Sequence, residues 1–169
     1  GAVKANNGIS LTIQPGEIHG ILGENGAGKS TLVKILAGFS RKTSGTIRIN
    51  GKPVDYHTPA QASKWGIGMI YQDPLDFPSL SVLDNYMLGT TGDSGRLFYN
   101  EKQYRKRLEE LCSAFNFTLA PDPPLFSLTL GERQQLEILR LLSLGVALLI
   151  LDEPTTGLDA SVQMQVLRE

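Results

Sequence analysis

The stretch GENGAGKS, residues 23–30, decides how this chain is read. It satisfies G-x-x-x-x-G-K-[ST] and sits between residues 17–22 (EIHGIL), which read as a strand, and residues 29–37, which read as a helix. In that helix Leu32, Val33, Ile35 and Leu36 share a face, and Gly38 is a plausible stop. Backbone N–H groups can surround a phosphate only where side chains leave room, which is the role expected of Gly23, Gly26 and Gly28. The helix start adds the positive end of its dipole. Lys29 supplies a mobile charge for the outer phosphates, and the Ser30 hydroxyl can ligate a magnesium ion that bridges them. Glu24, Asn25 and Ala27 complete the loop, and Thr31 can add a hydrogen bond, so residues 23–31 form the candidate nucleotide-binding segment.

Outward from the loop, Ile9, Leu11 and Ile13 alternate with polar residues as in a half-buried strand, and Pro15-Gly16 turns the chain. Residues 46–50 read as a strand ending at the hairpin dipeptide Asn50-Gly51, and residues 67–71 as a short buried strand. From Ser81 the period becomes helical. Ser81 and Asp84 have capping-box spacing, and Tyr104, Leu108, Leu111 and Phe115 form one stripe. Residues 119–125 hold three prolines and read as a loop; residues 132–142 read as a helix and 146–151 as a buried strand.

That last strand runs into Asp152 and Glu153, two carboxylates at the carboxyl end of a strand, where open α/β sheets place their ligands. Alone, the pair is equally well a plain strand terminus. Beside a phosphate loop, Asp152 is the expected magnesium-side acid and Glu153 the residue that orients and polarises an attacking water.

Composition sets the outer limits. The chain has 169 residues, 41% hydrophobic content and a net charge of -1, enough for one compact domain and no basis for a global pull toward nucleic acid or anionic lipid. Cys112 is the single cysteine, so an internal disulfide is ruled out, and a buried or idle thiol is expected. The apolar run 141–151 is broken by Ser143 and Gly145 and falls short of the roughly 20 residues that cross a bilayer. No secretion signal is visible, and with no initial methionine the chain is expected to be trimmed.

Four segments in order carry a resemblance to a known family: the loop at 23–30, MIYQD at 69–73, LTLGERQQLEI at 128–138 and LLILDEPTTGLD at 148–159. Together they resemble the ATP-binding cassette (ABC) ATPases over essentially the whole chain. The resemblance implies an α/β fold: a P-loop nucleotide-binding core with an antiparallel β part and an inserted helical subdomain. The whole chain would be one partial domain, with the core at approximately 1–76 and 143–169 and the helical subdomain at approximately 77–142.

The same resemblance implies roles. Gln72 looks like the glutamine that contacts magnesium and water and senses the transmembrane partner; with Glu153 it forms the catalytic set, and with Ser30 and Asp152 the metal set. Leu128, Thr129, Leu130, Gly131 and Glu132 resemble the signature that meets the opposite subunit's ATP, departing at Leu130 (family glycine) and Glu132 (family glutamine). Glu132 either points away from that phosphate or weakens closure; a first-turn helix acid is the simpler reading. Asp159 resembles the dimer-interface aspartate, although a helix N-cap fits it too. The chain ends before the expected switch histidine and begins after the expected adenine-stacking aromatic. His19, in a strand, and His57, in a loop, do not replace the former, and Trp65 and Tyr71 read as packing residues.

The implied function is ATP hydrolysis, with ATP and Mg2+, that energises an ABC transporter. The wording of GEIHGILGENGAGKSTL and GERQQLEI is similar to importers of monosaccharides or nucleosides, whose ATPase subunits often carry two cassettes. Implied partners are a second ABC ATPase domain, transmembrane permease subunits and, indirectly, an extracytoplasmic solute-binding protein, with no nucleic acid. The implied location is peripheral, at the cytoplasmic face of the membrane. Phe77, Pro78, Leu80 and Val82 are candidates for a groove that accepts a permease helix, or simply pack the subdomain. Two rivals stay open: a soluble ABC-type ATPase acting on nucleic acid or ribosomes, and a nucleotide-binding fragment without turnover.

Overall fold

A computed structural model describes residues 5–22, 24–71, 76–90 and 100–151. Helix α1 (Lys29–Leu36) is followed by the strands β1 (Ile47–Ile49) and β2 (Lys52–Val54), helix α2 (Pro59–Lys64) and strand β3 (Ile67–Ile70). Helices α3 (Val82–Thr90), α4 (Glu101–Ala114) and α5 (Leu130–Ser143) come next, with a single 3-10 turn at Leu125–Ser127 before α5, and strand β4 (Leu148–Leu151) closes the described chain.

β1 and β2 form an antiparallel hairpin, with Ile47 opposite Val54. Its turn, Asn50-Gly51, takes positive φ at both positions (50° and 75°), the twist that two-residue hairpins prefer and that asparagine and glycine tolerate. β3 and β4 pair in parallel, Ile67 with Leu148 through Ile70 with Leu151. Both faces of this pair are covered, which explains why β3 is buried at all four positions and shows no polar alternation.

The covering layers follow the two-residue strand period. On one face, Ile67, Met69 and Ile150 join Val33 and Ala37 of the α1 segment, Ala62 of α2 and Tyr56. On the other, Ile70 packs with Ile138 of α5, and Leu141, Leu149 and Leu151 lie against them. A side chain at Gly68 would come within 3.0 Å of Val146 and 3.2 Å of Leu141, so the glycine lets the α5 end of the chain lie close to the strand. The result is a helix, sheet, helix sandwich around two parallel strands.

A second core lies among the helices, where Val82, Leu83 and Tyr86 of α3 meet Leu108, Leu111 and Cys112 of α4 and Leu136 and Leu139 of α5. The expected stripe is present: Leu108, Leu111 and Phe115 are buried, with Tyr104 packed at the edge. Each large apolar side chain fully withdrawn from water here contributes roughly 1.5–3 kcal/mol. Cys112 is the buried thiol that was expected, and burial pushes its pKa up. The proline segment is a loop tied to α3: Val82 and Leu83 donate backbone hydrogen bonds to the carbonyls of Pro123 and Pro121.

Two expected strands do not form. Among the described residues, 9–13 and 17–22 have no ladder partner, and Ile9, Leu11 and Ile18 are about half exposed. Their backbone is held instead by the Pro15-Gly16 turn, with Glu17 donating to the Gln14 carbonyl at 3.1 Å. Alternating apolar residues make a strand possible; only a neighbouring strand realises it.

Candidate nucleotide site

The start of α1 differs from every other α-helix start among the described residues. Thr58, Asn100 and Thr129 cap α2, α4 and α5 through their side chains, and Ser81 caps α3 with Asp84 answering it. α1 begins at Gly28 with no side-chain cap and no acid in its first turn. A helix leaves its first N–H groups without intrahelical partners, and with no side-chain cap or acid there the positive end of the dipole suits an anion.

The loop ahead of it is shaped for close approach. Gly26 and Gly28 have φ of 85° and 91°, and Ala27 donates to the Glu24 carbonyl at 3.1 Å, turning the chain into the helix. Gly28 is further constrained, because a Cβ there would lie 2.3 Å from the Ala5 carbonyl oxygen and 2.8 Å from Asn6 Oδ1. Asn6 Nδ2 donates to the Gly28 carbonyl at 3.2 Å and so braces the loop from behind. Lys29 Nζ donates to the Glu24 carbonyl at 2.9 Å, which folds the ammonium back along the loop. Ser30 is exposed in the first turn, with Thr31 half-buried beside it. Asn25, Gly26 and Ala27 are exposed, and Gly23 lies outside the described residues.

β3 and β4 end level, at Ile70 and Leu151. In sequence Tyr71 follows the first and Asp152 the second; Gln72, Asp152, Glu153 and Asp159 all lie outside the described residues. Tyr71 stacks edge-on against Phe39, ring centroids 5.5 Å apart, and its hydroxyl pKa is raised by burial and by the nearby Glu137 carboxylate. It packs, as expected. Trp65 packs only in part: it is 45% exposed at the end of α2. His19 lies in no strand and pairs with Glu17 at 2.9 Å, while His57 is in a loop near Asp55.

The start of α5 is a reciprocal capping box. Thr129 Oγ1 accepts from the Glu132 N–H at 3.3 Å, and the Glu132 carboxylate accepts from both the Thr129 N–H (2.7 Å) and the Thr129 hydroxyl (2.8 Å). Those bonds hold the Glu132 carboxyl below the usual carboxylate range. Glu132 is therefore the first-turn helix acid that the simpler reading expected. Leu128 tucks against the helical core, whereas Thr129 and Leu130 are exposed and Gly131 is half-buried.

One helical turn further on is a polar cluster that sequence reading missed. Arg133 reaches Asp76 at 3.5 Å, Glu137 reaches Arg140 at 3.5 Å, and Gln134 is buried between them along α5. Glu137 is 5% exposed, and one of its carboxylate oxygens has no hydrogen-bond partner among the described residues. Burial pushes its pKa up, Arg140 partly offsets this, and Asp76 adds to it. The missed signal was a glutamate on the apolar side of the helix, flanked by Leu136 and Ile138. Asn85 is a second missed hub: from within α3 its side chain accepts from the Phe77 N–H and donates to the carbonyls of Phe77 and Ser81, pinning residues 77–81.

Of the four residues considered for a partner groove, Val82 is fully buried in the helical core and drops out. Phe77, Pro78 and Leu80 remain exposed, and Phe126, also exposed, is joined to them by its N–H bond to the Pro78 carbonyl at 3.0 Å. Among the described residues no helix is long and apolar enough to cross a membrane, and no cluster of three or more metal-ligand side chains occurs.

The sequence profile of the ABC transporter family matches residues 6–156. The chain is 44% identical, over 95% of its length, to the ribose import ATP-binding protein RbsA 2 of Escherichia coli O157:H7, and 40% identical, again over 95%, to the RbsA 2 protein of Streptomyces avermitilis. It spans about a third of the length of these relatives, 31% and 32%. Among solved structures it resembles cbiO1 of Clostridium perfringens, part of the ABC transporter complex cbiONQ, with TM-score 0.76 and 34% identity over 97% of this chain and 66% of that one.

Proposed function

The chain belongs to the ABC transporter family, and on that premise we infer that it binds and hydrolyses ATP to energise a membrane importer whose cargo is a sugar of the ribose class. The observation that carries the reading is the start of α1, which has no side-chain cap at Gly28 and no acid in its first turn and follows a loop with two left-handed glycines, a helix end that suits a phosphate. The names of the relatives support the cargo class.

The donor set suits magnesium as well, since a serine hydroxyl beside the loop and an aspartate after a strand are hard oxygen ligands. Ser30, Gln72 and Asp152 would hold the ion, which when bound neutralises charge on the outer phosphate oxygens. The residues of residues 23–31 orient the triphosphate, and Lys29 draws charge from its end. Glu153 accepts a proton from, and aligns, the attacking water; Gln72 helps place that water. The work of this site is positioning and charge stabilisation.

A second cassette supplies its own signature across the nucleotide, and Leu128, Thr129, Leu130, Gly131 and Glu132 are offered to that partner's ATP in return, with Asp159 at the seam. Phe77, Pro78 and Leu80 face a permease subunit, which puts the domain on the cytoplasmic face of the membrane, with an extracytoplasmic solute-binding protein as an indirect partner. The domain divides into a core at approximately 1–76 and 143–169 and a helical subdomain at approximately 77–142.

The test is Mg-ATP turnover by the intact protein, with Glu153→Gln as its control. Turnover that falls at least about 100-fold in the control while ATP still binds supports the reading. Binding without any turnover in the parent would reduce the site to a nucleotide holder, and equal turnover in both proteins would remove Glu153 from its role.

A further inference from the structure

Glu132 places its carboxylate on the donors that the signature segment would need. Thr129 has one hydroxyl proton, and it is given to Glu132 at 2.8 Å; the adjacent Thr129 N–H is given to the same carboxylate at 2.7 Å. The hydroxyl oxygen is engaged too, accepting from the Glu132 N–H at 3.3 Å. An arriving phosphate would therefore find the hydroxyl occupied and a negative charge beside it. Thr129 is exposed, so the occupation is not a consequence of burial.

We propose that Glu132 is a latch: it holds the Thr129 hydroxyl in a self-capping contact, and the signature segment accepts a phosphate from a facing cassette only when the carboxylate swings off. This rests on the reading of residues 128–132 as the segment that meets a partner's nucleotide. Glu132 is a positioning residue that acts through Thr129. At rest it favours the first turn of α5, where an acid suits the helix dipole. Its cost falls on closure, because the box must open before the hydroxyl can donate elsewhere. The latch thus sets a threshold that nucleotide binding at the facing site has to exceed.

Capping and latching predict opposite signs for one substitution. In Glu132→Gln the amide oxygen still caps the Thr129 N–H, but the charge that grips the hydroxyl is gone. The intact protein is titrated with Mg and a slowly hydrolysed ATP analogue, and closure is followed as compaction or pairing in sedimentation velocity. Glu132→Gln should reach half-closure at about a tenfold lower analogue concentration, the scale of a charge-assisted over a neutral hydrogen bond, while its nucleotide-free melting temperature stays level or falls. Glu132→Ala, which loses both cap and charge, should also close earlier and melt lower.

A residue that only caps would give lower melting with closure unchanged or harder; that result, in both variants, overturns the latch and leaves the nucleotide reading intact. If the parent binds the analogue and neither it nor the variants close, the signature reading fails and the latch with it.

Discussion

The starts of α1 and α5 both present a helix dipole but enter the helix differently, Gly28 in the left-handed region (φ 91°) and Thr129 extended (φ -65°). At α1, Gly28 offers no side chain to the first turn and no acid follows it. At α5, Thr129 and Glu132 satisfy one another across that same turn. A helix dipole is common to both, so the dipole alone does not make an anion site; what matters is whether the donors at its positive end are already taken. α1 has glycine in place of a capping side chain, whereas at α5 the Thr129 and Glu132 N–H groups are taken by the capping box, and that end is locally more secure.

The contrast can be broken from either side. The largest effect is expected at Gly28, where alanine would have to adopt a φ of 91° with its Cβ 2.3 Å from the Ala5 carbonyl oxygen. Gly28→Ala should cost roughly 1–3 kcal/mol in urea unfolding and weaken nucleotide binding as the loop shifts off Asn6. Next comes the cap of α5: Thr129→Ala should cost about 1 kcal/mol by the same measurement, with nucleotide binding to the α1 loop unaffected.

Glu137 sharpens the comparison, being an acid in the same helix that is buried rather than used as a cap. Its folded pKa is raised, chiefly by burial, so the folded state holds a proton to higher pH than the unfolded chain does. The penalty for carrying the charge is absent below the unfolded carboxyl's pKa, develops as pH rises above it, and is complete above the raised folded value. Glu137→Gln should therefore melt a few degrees higher than the parent at pH 7 and about level with it near pH 4. Thermal unfolding across that range checks it; a variant that melts lower at pH 7 would mean the carboxylate is better paired than its geometry indicates. The smallest change in stability is expected for Ser30→Ala, within about 0.5 kcal/mol for an exposed hydroxyl, with the loss appearing as ATP binding that no longer responds to magnesium.

How far the fold and the site could be read in advance depended on whether the signal was local. The glycine loop, the Asn50-Gly51 hairpin, the Ser81/Asp84 box and the stripe through Leu108, Leu111 and Phe115 are each written within a few residues, and each is present. Residues 9–13 and 17–22 have the strand period but no partner in the described structure, since pairing is a property of two segments. α2 went unread although Thr58-Pro59 marks its start. Asn6, bracing Gly28 from 22 residues away, left no mark in any periodicity. Val82 and Trp65 show a related limit, since an apolar or aromatic residue beside a loop does not declare which way it faces: of the two readings left open for Val82 the packing one holds, while Trp65, expected to pack, is 45% exposed.

The central claim is that the glycine-led start of α1 holds the phosphates of ATP. Titrating Mg-ATP into the intact protein and into Lys29→Ala, with melting temperatures measured alongside, tests it most directly. The account predicts saturable binding that weakens at least about 100-fold in the variant, the cost of removing the loop's charge-assisted contact, while the melting temperature without nucleotide stays within a few degrees. Equal binding by parent and variant would contradict it.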